Sequence, residues 1–199
     1  MRKPRKDMVV ETRAKLIAAA RLAFGTVGYA AAPMDGFTAG VGLTRGALYH
    51  HFGDKKGLLE AVVDEIDTEM CNRLQAISAR ASSPWQAVMD EWVAYIEMAL
   101  EPEIQRIMFR DGPAVLGDLS LRPSAQHCLE ALTDSLAKLK ADGSLIDAEP
   151  AALARLINGA SSHAAAWIAS SADPEETSKQ AVASFRLLLT GLLRPPPST

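Results

Sequence analysis

Cysteine is scarce in this chain. Cys71 and Cys128 are the only two, far apart and in no shared motif, so a disulfide framework is excluded and buried thiols are the simplest reading. No apolar run approaches the roughly 18 residues that would suggest a membrane span. The basic start, Met1-Arg2-Lys3-Pro4-Arg5-Lys6, has no apolar segment behind it and does not read as a secretory signal. There is no Gly-x-Ser-x-Gly elbow, no P-loop and no dinucleotide fingerprint. His127 and Cys128 are neighbours, yet no further His or Cys stands at zinc-ligand spacing. Carboxylates are plentiful but scattered. The chain is expected to be neither an enzyme nor a metalloprotein, and to carry no cofactor.

What is present is an ordinary globular composition with an uneven charge. Of 199 residues, 48% are hydrophobic and 23% charged, enough to bury a core in one domain or two small ones. Residues 1–60 hold ten Lys/Arg against five Asp/Glu, a balance of +5; the remainder holds eleven against nineteen, −8, giving the overall −3. A basic first third on an acidic body points to a polyanionic partner for that third alone.

Helical periodicity runs through the whole chain. A first helix is predicted from about Thr12, with Leu16, Ile17, Ala20, Phe24 and Val27 inward and Gly28 as its C′ residue. Met34 to Val41 reads as a second, poor helix. Gly36 and Gly40 each cost roughly 1 kcal/mol relative to alanine in a helix interior, and Pro33 stands where a hydroxyl cap is expected. Met34, Phe37 and Val41 form its buried face. After Gly42-Leu43, Thr44 caps a short helix, Thr-Arg-Gly-Ala-Leu-Tyr-His-His-Phe, over residues 44–52. Leu48 and Phe52 point to the core, leaving Thr44, Arg45, Gly46, Tyr49 and His50 outward. Two short helices joined by a glycine turn, the second outwardly polar, make a helix-turn-helix.

Residues 12–64 resemble the DNA-binding domain of the tetracycline-repressor-like (TetR) family of bacterial transcriptional regulators. The likeness is carried by Thr12-Arg13, Phe24, Gly28-Tyr29, Met34-Asp35, Val41-Gly42-Leu43, the whole of 44–52, and Asp54-Lys55-Lys56-Gly57-Leu58-Leu59. It implies double-stranded operator DNA as partner. Arg45 would fork onto guanine in the major groove, while Gly46 and Ala47 let the backbone approach the base edges, Ala47 against a thymine methyl. Thr44, Tyr49 and His50 resemble the family's phosphate-binding positions, and Lys55 would meet a phosphate at the next helix start. His51 reads as half-buried support and Lys56 as solvated. The sequence departs from the family pattern at Pro33, Gly36 and Gly40, and Asp35 puts a negative charge near the DNA face; a softer second helix and weaker operator binding are expected.

The rest resembles the family only in being a helical body. A long helix from Asp54 to about Ala79 is predicted, then helices over 84–100, 102–110, 123–141, 149–171 and 173–193, with Gly112-Pro113 as a breaker and Arg110-Asp111 as a local ion pair. The fold expected is all-α: an N-terminal three-helix DNA-binding domain (11–56) after a flexible basic arm (1–10), joined by a long helix to a ligand-binding and dimerisation body (57–194), with a Pro-rich tail (195–199). In the last two helices, Ala152, Leu156, Gly159, Ala160, His163, Ala164 and Trp167 on one, and Val182, Phe185, Leu189 and Leu192 on the other, supply apolar surface for a homodimer. Trp92, Tyr95, Met108, Phe109, His127, His163 and Trp167 are candidates for contact with a small apolar or aromatic effector. The implied function is a cytoplasmic, ligand-responsive repressor binding a palindromic operator as a dimer; the alternative is a helical dimeric interaction protein without an effector or with weakened DNA binding.

Overall fold

Helical spacing is obeyed throughout the computed structural model, which describes residues 5–34, 36–39, 42 and 44–194. Among these residues there is no strand, only an isolated bridge between Leu145 and Leu193. The chain forms two compact units. One takes in the chain up to Asp67 together with Pro102–Asp118; the other takes in Thr68–Glu101 and the chain from Leu119 onward.

In the first unit, α1 runs over Arg5–Val27, so the helix begins seven residues before Thr12. Nothing after Pro4 breaks it, and the Glu11–Lys15 ion pair at 2.9 Å spans one turn across the expected start. Of the arm expected over residues 1–10, residues 5–10 are helical and residues 1–4 lie outside the described residues. Leu16, Ile17, Ala20 and Phe24 are buried, whereas Val27 is exposed. The inward stripe ends at Phe24 because Gly28, at φ 84°, turns the chain away while its N–H bonds Phe24 O at 3.0 Å. Tyr29 and Phe37 then lie on the Phe24 ring, with centroids 5.5 and 5.3 Å away.

The described part of α2 is a single turn, Gly36–Ala39; Asp35, Gly40, Val41 and Leu43 lie outside the described residues. Phe37 is buried and Met34 half-buried. Gly36 has a packing reason as well as a propensity cost, since a Cβ there would stand 3.3 Å from Pro33 Cγ. The recognition helix α3, Arg45–Phe52, is capped by the Thr44 hydroxyl, which accepts the Ala47 N–H at 3.3 Å. Gly53, at φ 75°, closes it through Tyr49 O at 3.0 Å. Leu48 is fully buried, but Phe52 is only half-buried; its open side is covered by the Arg13 guanidinium, 5.4 Å from the ring centroid.

The long α4, Lys55–Ser78, contributes its first half to this unit and its second half to the other. Asp54 caps it by accepting the Gly57 N–H at 2.8 Å. Leu58, Leu59, Val62, Val63, Ile66 and Met70 are buried as its spacing predicts.

Pro102–Asp118 joins the first unit through side chains distant in sequence. Arg21 forks onto both carboxylate oxygens of Glu103 at 2.9 Å and reaches Glu65 at 3.1 Å, tying α1 to α4 and to α6, Pro102–Arg106. Arg106 donates to the carbonyls of Gly25 and Thr26. Asp111 accepts the Tyr29 N–H at 2.7 Å, so its carboxylate serves the α1–α2 connection instead of the local pair expected with Arg110. Gly112-Pro113 does not break the helix: a π turn over Ile107–Asp111 leads directly into α7, Gly112–Leu116. Proline tolerates the first turn of α7, and the wider π turn absorbs the helical hydrogen bond it cannot make.

The second unit is built on α5 (Pro84–Glu97), α8 (Pro123–Ala141), α9 (Pro150–Ser170) and α10 (Pro174–Thr190). Helix α5 starts at Pro84 with Ser83 as its cap, and α8 ends before Gly143 at φ 84°. Helix α9 packs against α5, α8 and α10 through Ala154, Ile157, Ser161, Ala164, Ala165, Ile168 and Ala169. Of the α9 residues expected to supply apolar surface, Ala164 is buried, whereas Ala152, Leu156, Gly159, Ala160, His163 and Trp167 line the exposed face. The helix carries two apolar faces, and small residues win the interior because they permit close approach to three neighbours. In α10, Phe185 and Leu189 are buried and Val182 half-buried within the chain's own core, so they are not the surface for a second copy.

The tightest seam lies between α3 and α4, where a Cβ on Gly57 would stand 2.1 Å from Phe52 O. Neither backbone can yield without disturbing the recognition helix. Gly57→Ala is expected to destabilise the protein by about 2 kcal/mol or more, despite alanine's better helix propensity. Urea denaturation checks this; an unchanged or increased stability would refute the close approach.

Candidate nucleic-acid interface

A helix of eight residues is not stable alone in water, so α3 must be presented by its surroundings. Leu48 anchors it from beneath, and the Gly53–Gly57 corner fixes its end. Its other face is open. Thr44, Gly46 and His50 are exposed, Tyr49 is 45% exposed and Ala47 is half-buried. The backbone puts Arg45 in the first turn, one turn before Tyr49; its side chain lies outside the described residues. The predicted contact residues 44–50 thus share one helix, with their small members at the N-terminal end where base edges can be approached.

Lys55 has partners within its own unit. Its ammonium donates to Ala32 O at 2.6 Å and Ala30 O at 3.4 Å, and lies 4.8 Å from the Tyr29 ring centroid. Burial lowers its pKa. These partners tether the 30–32 connection to the start of α4, so Lys55 supports the reading head from within. Lys56 is exposed, as expected. His51 is half-buried, between the rings of His50 and Phe52 at centroid distances of 5.5 and 6.0 Å. Its pKa is lowered by burial first, then by His50 and Arg13. Arg13 and Asp111 escape a local reading because their partners, Phe52 and the Tyr29 N–H, are remote in sequence.

The candidate effector residues are divided between the two units. Trp92 is buried and Tyr95 half-buried on α5, their ring centroids 5.8 Å apart. His127 is exposed on α8, while His163 and Trp167 are exposed on α9. Met108 and Phe109 belong to the first unit. Of the seven, Trp92 alone lines a cavity of about 290 Å³ in the second unit, with Ser78, Val88, Glu91, Leu132 and Lys138 among its other walls. Glu91 was missed in the sequence because it looks like any acidic residue on a helix face. Burial pushes its pKa up, and a hydrogen bond from Ser78 opposes this.

A capped, outward-facing recognition helix on a small helical head, in a chain with a second helical unit, defines a helix-turn-helix regulator. Residues 16–62 match the family model for bacterial regulatory proteins of the tetR family, and residues 85–192 match a tetracyclin repressor-like C-terminal domain. The chain is 51% identical to a TetR-family transcriptional regulator from Pectobacterium atrosepticum, covering 98% of this chain and 100% of that one with a TM-score of 0.87. A TetR/AcrR-family regulator from Thermobifida fusca is 25% identical over 92% of this chain and 100% of its own, with a TM-score of 0.70. The HTH-type transcriptional repressor Rv1474c of Mycobacterium tuberculosis is 35% identical over 80 residues, 40% of this chain and 41% of that protein. The matched segment thus spans about two fifths of that curated relative's length. The chain belongs to the TetR family of bacterial transcriptional regulators, DNA-binding proteins whose fold is not that of an enzyme.

Acid should loosen the interface from within. With the His51 pKa lowered in the native state, the unfolded chain binds the proton first as pH falls through the ordinary histidine value of about 6.5. Stability should therefore fall with acidification through that window and level off below the native value. His51→Gln should flatten this step in urea midpoints measured from pH 7.5 to 5; an identical profile would remove His51 from the account.

Proposed function

We propose that the protein is a ligand-responsive repressor that binds a palindromic operator as a homodimer in the bacterial cytoplasm. The observation that carries the DNA reading is the exposure of Thr44, Gly46, Tyr49 and His50 on a helix whose cap, corner and anchor are all satisfied inside its own unit. Arg45 reads a guanine, Gly46 and Ala47 admit the backbone to the groove, and Thr44, Tyr49 and His50 hold phosphates. The Thr44 oxygen is engaged as a cap acceptor, but its O–H still has a proton to donate.

Dimerisation draws on the outward faces of the last two helices. Leu187 is 76% exposed, Leu188 66% and Trp167 47%, with Leu156 and the small residues Gly159 and Ala160 on the same side of α9. Exposed apolar surface of this size marks an interaction site, and a two-fold pairing of α9 and α10 would cover it as a four-helix bundle. His163 and Trp167 are assigned to this face and not to an effector. The effector is assigned to the cavity beside Trp92, an aromatic wall with Glu91 and Ser78 as polar handles. Repression follows the name of the Mycobacterium relative. The helix-disfavouring Pro33, Gly36 and Gly40 favour the alternative of weakened operator binding, and similar affinity for all DNA sequences would support it.

Selection of bound DNA from a random pool should return a palindrome with half-sites about 34–36 Å or more apart. On that sequence, Arg45→Ala should cost about 1–3 kcal/mol and relax preference at one base position. A loss equal on every sequence would demote Arg45 to a phosphate contact. Leu187→Glu combined with Leu188→Glu should convert a dimer, read by light scattering at micromolar concentration, into a folded monomer. A wild-type monomer would reject the dimer.

A further inference from the structure

The two cysteines that share no motif in the sequence meet in the fold. Cys71 lies on the second half of α4 and Cys128 near the start of α8, both within the second unit. Their Sγ atoms are 3.6 Å apart, and neither is in a disulfide. Both residues are half-buried, so a small solute reaches them while the surrounding helices hold their backbones. A disulfide has an S–S length of about 2.05 Å, so the sulfurs need to approach by roughly 1.6 Å, a displacement that side-chain rotation shared between two residues supplies. Among the described residues, no third His, Cys, Asp or Glu joins them in a metal-binding group. Two thiols in contact with no metal-ligand set around them are suited to one chemistry.

We propose that Cys71 and Cys128 form a dithiol–disulfide site that takes peroxide-class oxidants and reversibly staples α4 to α8. One thiolate attacks a peroxide oxygen, breaking the O–O bond; it becomes a sulfenic acid and the other oxygen leaves as water once protonated. The second thiolate attacks the sulfenic sulfur and expels its hydroxyl as a second water. Two thiols and one hydrogen peroxide thus give one disulfide and two waters, the peroxide taking both electrons. A thiol reductant reverses the bond by exchange. Disulfides in a reducing compartment are characteristically transient and redox-sensing, which fits a pair whose sulfurs already lie in contact. The staple has a natural readout, because α4 also carries Gly57, whose backbone lies against the end of the recognition helix. Oxidation therefore constrains the helix that supports operator reading; this regulatory half rests on the function proposed above.

The test uses the full chain, reduced and freed of reductant, then titrated with hydrogen peroxide. Intact mass should fall by about 2 Da, the two hydrogens lost on disulfide formation, with faster migration on a non-reducing gel. Dithiothreitol should reverse both, and Cys71→Ser and Cys128→Ser should show neither. Closing a loop of 57 residues should raise the thermal midpoint by several degrees. If a serine variant fails to fold, the corresponding alanine variant takes its place, and alkylation of wild-type thiols before and after peroxide gives the same reading. Oxygen adducts without a cross-link, disulfides between two chains, or thiols unchanged by peroxide would overturn the site. On the selected operator, oxidised and reduced wild type should differ in affinity by about fivefold or more, with the Cys71→Ser protein indifferent to peroxide. Equal affinities would overturn the regulatory half alone. Failure of the reduced protein to select any DNA would count against the proposed function and leave the mass result standing.

Discussion

Everything in the first unit follows from one constraint: an eight-residue helix must be held rigidly while most of its surface stays open. The solution is a backbone contact. Gly57 removes a side chain so that α4 can start directly against Phe52 O, and Gly53 and Asp54 complete the corner with one positive-φ turn and one cap. Leu48 seals the helix to the core beneath. The remaining supports are polar and reach over long sequence distances: Arg13 over Phe52, Lys55 into the 30–32 carbonyls, Arg21 to Glu65 and Glu103. Half-exposed ion pairs of this kind contribute little each, but the bidentate Arg21–Glu103 fork sets orientation as well as energy.

That arrangement changes what several charged residues are for. A lysine at a helix start beside a recognition helix invites a phosphate, and the Lys55 ammonium also donates to two carbonyls and lies against an aromatic face. Asp111 accepts a backbone N–H that would otherwise be left at the turn after α1. The first unit therefore includes Pro102–Asp118 as a structural partner of the reading head. The second unit obeys a different logic, with small residues inside α9 and larger ones, Leu156 and Trp167, facing out. The helix thus carries a second apolar face that stays exposed among the described residues of its own chain.

Local chemistry was legible where the cause is local. Thr44, Ser83 and Asp173 cap their helices because a short side-chain oxygen beside free N–H groups has one good use. Gly28 and Gly143 end helices because they adopt positive φ, and α8 starts at Pro123 where its sequence says it should. Spacing also picked out Leu58, Leu59, Val62, Val63, Ile66 and Met70 on α4. The extension of α1 back to Arg5 and the passage of the helix through Gly112-Pro113 were not legible. Charged residues are neutral about helix or coil, and a proline breaks a helix only where the preceding turn cannot widen.

By itself, then, the sequence determined most of the helices, the Thr44 cap, the core stripe of α4 and the outward chemistry of the third helix, since all of these depend on neighbours within a turn or two. It also determined the family, through residues that serve those same local ends. Only the tertiary structure decided which apolar face of α9 goes inside, what Lys55 and Asp111 hold, why position 57 must be glycine, and that Cys71 and Cys128 touch. Each of those is settled by a partner remote along the chain, and helical periodicity carries no information about which helices will meet.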